Sequence, residues 1–252
     1  MLMRAAALLT VVALTASCVL DDRPLPICPM PVATAAAPPV RGAGSVTAWR
    51  AVLVAGDDSS PAFDNGIGTL RDRLAAQGVR DIRTLSASGG SASVANLQAA
   101  LTARRTGGAC LVYLTSHGAE QGFFLRPGLC LMAPAALDQA LSEGCGSAPT
   151  VVVVSACHSG TFLTAAMRQP NRIVLTAAAG DRTSFGCGAD NDYTYYDACF
   201  LQQLDGARTW QQLGRDTRAC VETLERQLKV PTASQPQMFV GAGVSDLRLP
   251  GR

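Results

Sequence analysis

The sequence predicts an α/β domain built on a mostly parallel central sheet of about six strands. Three observations predict it. From Trp49 onward, short apolar runs alternate with stretches of helical spacing. Hydrophobic residues make up 48% of the 252, ample for a core and incompatible with an intrinsically disordered chain. No period of about 20 to 50 residues repeats, which excludes a solenoid or propeller.

Each element follows from local pattern. Ala51–Ala55 is a short apolar run ending in Gly56-Asp57, a buried strand and its loop. Phe63–Gly78 has helical spacing through Ile67, Leu70 and Leu74 and stops at a glycine. Asp81–Ser86 is a weaker strand, and Ser93–Arg104 is helical through Val94, Leu97 and Leu101. Cys110–Leu114 is the third strand. Phe123–Met132, broken by Pro127-Gly128, reads as a hairpin. Pro134–Gly144 is a helix with proline at its start and glycine at its end. Val151–Val154 is uniformly β-branched, as a strand buried on both faces should be. Ile173–Thr176 is a fifth strand. Helices over Tyr195–Leu204 and Trp210–Leu228 follow, then a last strand over Gln237–Gly241.

The amino terminus reads differently. Residues 1–17 place one arginine before an apolar run and close on small residues, the layout of a secretory signal peptide. Thr15-Ala16-Ser17 directly precede Cys18, which resembles the lipid-modification site of bacterial lipoproteins; an ordinary cleaved signal is the alternative. Residues 18–46 are rich in proline and alanine and read as a lipidated or Pro-rich tether, leaving 47–252 as the folded domain. The location expected is outside the cytoplasm of a bacterium, periplasmic or on the outer membrane, with membrane contact only through the lipid on Cys18.

Lys+Arg 21 against Asp+Glu 19 leaves a net charge of +2, which gives no electrostatic footprint for nucleic acid. Nine cysteines fit an oxidising compartment. Setting aside Cys18 and Cys157 leaves seven, so one further free thiol is expected; Cys130 with Cys145 and Cys187 with Cys199 are candidate local pairs. There is no C-x-x-C and there are only two histidines, so neither a metal nor another cofactor is expected.

In parallel sheets the working residues stand at the carboxyl ends of the strands. Strand three ends in Thr115-Ser116-His117-Gly118 and strand four in Ser155-Ala156-Cys157-His158. A thiol is a poor nucleophile at neutral pH unless its thiolate is stabilised, and a nearby imidazole can both do that and deliver a proton to a leaving amine. The backbone N–H groups of Gly118 and Cys157 would form an oxyanion hole. His158 is the competing base, but a side chain directly following Cys157 tends to point away from the thiol. A third group should orient His117, and Asp57, Asp64 and Asn65 are the candidates. The absence of a G-x-S-x-G elbow disfavours a serine hydrolase, and the absence of G-x-G-x-x-G after the first strand disfavours dinucleotide binding.

These residues resemble the legumain-type cysteine peptidases, which share the caspase-like fold. Tyr113–Gly118 is similar to that family's strand ending in His-Gly, and Val154–Gly160 to its Ala-Cys-x-Ser-Gly nucleophile block. Leu175–Cys187 is similar to the block that follows. The resemblance implies a caspase-like three-layer sandwich and a protein or peptide substrate. It implies an endopeptidase working through a Cys157 thioester, without metal. It also implies a substrate pocket at Asp64, Ser155, Ser184 and Asp197. Ser155 stands where the family has a glutamate, and the neighbourhood of Asp64 where it has an arginine. A pocket with Asp64 and Asp197 and no paired arginine would favour a cation, so a basic or broad P1 preference is expected. Helix capping and turn chemistry remain the other reading of both aspartates. A transpeptidase or ligase on the same dyad, and a non-catalytic surface lipoprotein, stay open on sequence alone.

Overall fold

The computed structural model describes residues 24–30, 46, 48–103 and 108–252. The signal segment and Cys18 lie outside the described residues. Strands β1 (Trp49–Ala55), β2 (Asp81–Ser86), β3 (Ala109–Thr115), β7 (Thr150–Ser155), β8 (Arg172–Thr176) and β9 (Gln237–Val240) form one sheet in the order β2-β1-β3-β7-β8-β9. The first five run parallel and β9 closes the edge antiparallel. Strands β4 (Gly118–Ala119), β5 (Gly122–Leu125) and β6 (Cys130–Met132) form a small antiparallel sheet beyond the end of β3.

Side chains alternate across the sheet, as the two-residue period of a strand dictates. Ala51, Leu53, Leu111, Tyr113, Val151, Val153, Ile173 and Leu175 face one core. There they meet α1 (Pro61–Ala76), α4 (Tyr195–Leu204) and α5 (Trp210–Gln227). Val52, Val54, Val112, Leu114, Val152, Val154 and Val174 face the other, packed by α2 (Val94–Thr102), α3 (Pro134–Gly144) and the hairpin. This is the three-layer arrangement. Val151–Val154 are all 0% exposed because β7 is central and covered on both faces. Fully buried side chains such as Phe63 and Leu70 each contribute about 1.5 to 3 kcal/mol by leaving water.

Polar caps set the helix starts that frame the site. Ser60 accepts from the Ala62 N–H and Pro61 occupies the first turn of α1. Thr194 accepts from the Asp197 N–H at the start of α4. Among the described residues no helix is long and apolar enough to cross a membrane.

The cysteines pair differently from expectation. Cys28 bonds Cys130, Cys110 bonds Cys145, and Cys199 bonds Cys220. Cys130–Cys145 fails because Cys130 is taken by Cys28 of the amino-terminal stretch and Cys145 by Cys110 of β3. Cys187–Cys199 fails because Cys199 on α4 is taken by Cys220 on the adjoining α5. Cys187 is disulfide-bonded as well, so none of the seven retains the further thiol predicted from the odd count. Residues 24–30 also depart from the expected tether. Ile27 bridges Leu131, the Cys28 N–H donates to the Leu131 carbonyl at 2.9 Å, and the Leu131 N–H donates to the Pro26 carbonyl at 2.9 Å. Backbone hydrogen bonding and the Cys28–Cys130 bond thus lay this stretch along β6 as a strap.

Candidate active site

Three neighbouring parallel strands end at one edge of the sheet. Ala55 pairs with Thr115, and Thr115 pairs with Ser155. The ladder continues past the strands: the Gly56 N–H donates to the Thr115 carbonyl at 2.9 Å and the Ser116 N–H to the Ser155 carbonyl at 3.2 Å. His117 and Cys157 therefore each stand two residues beyond a register pair on adjacent strands. Their loops touch. A Cβ on Gly118 would lie 2.3 Å from the Cys157 carbonyl oxygen and 3.0 Å from the Ala156 Cβ, so only glycine fits.

The His117 ring is clamped. Its Nε2 lies 3.5 Å from Asp57 Oδ2 and 3.4 Å from Ser59 Oγ. Phe63, from the first turn of α1, meets the ring edge-on at 5.3 Å and 76°. The buried Nδ1 has no hydrogen-bond partner among the described residues. Of the three groups expected to orient the imidazole, Asp57 is the one the fold delivers. Asn65 instead donates to the Asp192 carbonyl, and Asp64 lies half-buried in the first turn of α1.

Asp57 is 1% exposed. Burial pushes its carboxyl up, but hydrogen bonds from Arg126 and the Ser59 N–H, with the charges of His117 and Arg126, bring it below the ordinary value. Arg126 and Ser59 both escaped the sequence reading. Arg126 belongs to a hairpin turn that no strand-end rule inspects, and Ser59 looks like a turn serine.

Cys157 is 1% exposed and, among the described residues, is the cysteine that carries no disulfide. The Ser184 N–H donates to its sulfur at 3.2 Å, and the Ser184 carbonyl lies 3.6 Å away. Ser184 thus lies against the sulfur. His158 adopts left-handed backbone, φ 56°, which turns the chain sharply after Cys157. Its Nδ1 lies 3.0 Å from the Gly180 carbonyl, so the ring is engaged with the loop after β8.

Asp197 requires a correction to the pocket reading. It is 0% exposed and presents no charge to solvent. The Tyr113 hydroxyl donates to it at 2.5 Å and the Thr115 hydroxyl at 2.6 Å. Burial pushes its carboxyl above the ordinary value, against the pull of hydroxyls from Ser155, Thr115, Tyr113 and Thr194. Ser155 is buried beside it, its hydroxyl 3.4 Å from that of Thr194.

This architecture is caspase-like. The chain is similar to the crystal structure of caspase-1 from Spodoptera frugiperda, with a TM-score of 0.55 and 13% identity, over 82% of this chain and 94% of that one. No curated protein matches it in sequence. The model of the peptidase C13 family, the legumain family, matches residues 87–231. The chain belongs to that family and is a cysteine-type peptidase.

Proposed function

We propose that the protein is an endopeptidase whose nucleophile is Cys157 and whose acid–base group is His117, oriented by Asp57. The observation that carries this reading is the register: His117 and Cys157 each follow the Thr115–Ser155 pair by two residues, in a chain of a cysteine peptidase family. The Asp57 carboxylate beside Nε2 favours the tautomer with hydrogen on that nitrogen, which leaves the Nδ1 lone pair for the thiol proton. Sulfur attacks the scissile carbonyl as Nδ1 takes its proton. The N–H groups of Gly118 and Cys157 receive the developing oxyanion. The C–N bond then breaks and the amine leaves with the proton. Water, giving its own proton to Nδ1, attacks the thioester; the C–S bond breaks, the acid is released and the thiol is restored.

Asp64 and Ser184 are the proposed surroundings of the P1 side chain, while Ser155 and Asp197 are enclosed in the core. Because Asp197 is enclosed and its oxygens accept from hydroxyls, it offers no exposed counter-charge, which supports broad rather than strictly basic selection. Disulfides at Cys28, Cys110 and Cys199 support export to an oxidising compartment.

The test is peptide cleavage by the purified chain with mass spectrometry of the products. Cys157→Ala and His117→Ala should each abolish hydrolysis, and haloacetamide should label Cys157 more slowly in His117→Ala. Undiminished cleavage by either variant would refute the assignment.

A further inference from the structure

We infer that Arg126 is a positioning residue that holds Asp57, and through it the His117 imidazole, in working orientation. The inference rests on the reading of His117 as the acid–base group. Arg126 opens the 3-10 turn Arg126–Gly128 between β5 and β6. Its backbone N–H donates at 2.8 Å to the carbonyl of Gly56, the residue directly before Asp57. A Cβ on Gly56 would stand 2.3 Å from the Phe124 carbonyl oxygen and 2.8 Å from the Phe123 ring, so the hairpin lies flush against the end of β1. The guanidinium sits 5.8 Å from the Phe124 ring centre. Its Nε contacts Asp57 Oδ1 and lies 2.8 Å from Asp58 Oδ1. Leu129, in left-handed backbone at φ 45°, closes the turn by donating to the Arg126 carbonyl at 3.0 Å. The next residue, Cys130, is bonded to Cys28 of the strap.

The consequence is electrostatic and geometric. Arg126 and the Ser59 N–H hold Oδ1, which leaves Oδ2 for His117. A buried carboxylate without an opposing cation takes up a proton or turns away. Either change removes the negative charge that favours hydrogen on Nε2 and frees the imidazole to adopt the other tautomer, with hydrogen on Nδ1. The charged groups in contact with this couple are Asp58 after β1 and Arg126 on the hairpin. Arg126 supplies the positive charge among them, so its loss makes the surroundings more negative and protonation easier.

The test is kcat and KM across pH for full-length Arg126→Gln and Arg126→Lys. Arg126→Gln should lower kcat about 10- to 100-fold with KM nearly unchanged, the scale of a small misplacement at a reacting group. It should also move the acid limb of kcat/KM to higher pH by about half a unit or more. Arg126→Lys should restore the limb and recover part of kcat. The Arg126 side chain is 40% exposed, so neither change disturbs the core. Should the Gln variant not fold, the Lys variant decides: lowered kcat at wild-type KM supports the inference, and unchanged kcat overturns it. A Gln variant with wild-type kcat and pH profile, beside an inactive His117→Ala, removes this inference alone. Retained activity in His117→Ala removes the underlying reading and this inference with it.

Discussion

Gly118 lies so close to Cys157 that a β-carbon would stand 2.3 Å from the Cys157 carbonyl oxygen. The atom it meets is a main-chain oxygen, so no flexible side chain can swing aside to relieve the overlap. Alanine at 118 must push apart the loops that carry His117 and Cys157. A displacement of about 1 Å between reacting groups costs on the order of 100-fold in rate. Gly118→Ala should therefore cut kcat/KM by about that factor, measured with a fluorogenic peptide, while circular dichroism still reports the wild-type fold.

The sheet was legible because its strands are apolar runs bounded by loop residues, and Val151–Val154 could occupy little but a central position. His117 and Cys157 stood out because each follows such a run. What stayed hidden depends on contacts between residues far apart in sequence. Arg126 is 69 residues from Asp57, and nothing local marks its turn as the one that closes on β1. Cys28 pairs across 102 residues, so local spacing suggested other partners. Asp197 looked like a pocket acid because burial, which decides between a charge offered to substrate and one enclosed by hydroxyls, is a tertiary property.

Asp57 links the site to stability in acid. Its carboxyl lies below its ordinary value of 3.8 in the folded chain, so the unfolded chain binds its proton first as pH falls. The stabilisation is complete above about pH 5 and is lost as pH drops through the folded value. Asp57→Asn should flatten the dependence of melting temperature on pH in that acid range. It should also lower kcat about 100-fold or more at neutral pH, since the amide can present its N–H toward Nε2 and favour the wrong tautomer. Thermal melts and rate profiles of the same preparation check both.

The two histidines should separate cleanly. His117→Ala is expected to lose at least about 100-fold in kcat, the scale of acid–base catalysis. His158 interacts with the Gly180 carbonyl and occupies left-handed backbone. His158→Gly should keep activity within a few-fold and retain stability better than His158→Ala, because glycine adopts φ 56° without the Cβ penalty. Paired assays and melts of the three variants decide it. Greater loss from His158→Gly than from His117→Ala would exchange their roles.

Asp197 makes the opposite contribution to that of Asp57. Its carboxyl is pushed above 3.8 by burial, so the folded chain keeps this proton longer and stability falls as pH rises from 3.8 through the folded value. Tyr113→Phe removes the donor to Oδ1 and should cost about 1 to 3 kcal/mol in urea unfolding. The ranking of Asn, Asp, Arg and Lys at P1 should stay the same, because the carboxylate is enclosed in either case. Across that panel the wild-type enzyme should show no strict preference for Arg or Lys. Strict cleavage after Asn would refute the broad-selection reading just as strict basic cleavage would.

The strap offers a control that distinguishes a structural disulfide from one that supports the site. Cys28–Cys130 closes a span of 102 residues and holds the turn that carries Arg126. Cys199–Cys220 spans 21 residues and joins α4 to α5. Replacing either pair by alanine should cost about 2 to 5 kcal/mol, from the greater freedom of the unfolded chain. Only the Cys28→Ala/Cys130→Ala variant should also shift the acid limb of kcat/KM toward higher pH, in the same direction as Arg126→Gln and by less. It loosens the hairpin but keeps the guanidinium in the chain. Cys199→Ala/Cys220→Ala should melt earlier and keep the wild-type profile. Urea midpoints and pH–rate profiles of the two variants measure this, and equal shifts in both would mean that the limb follows overall stability and not the grip of Arg126 on Asp57.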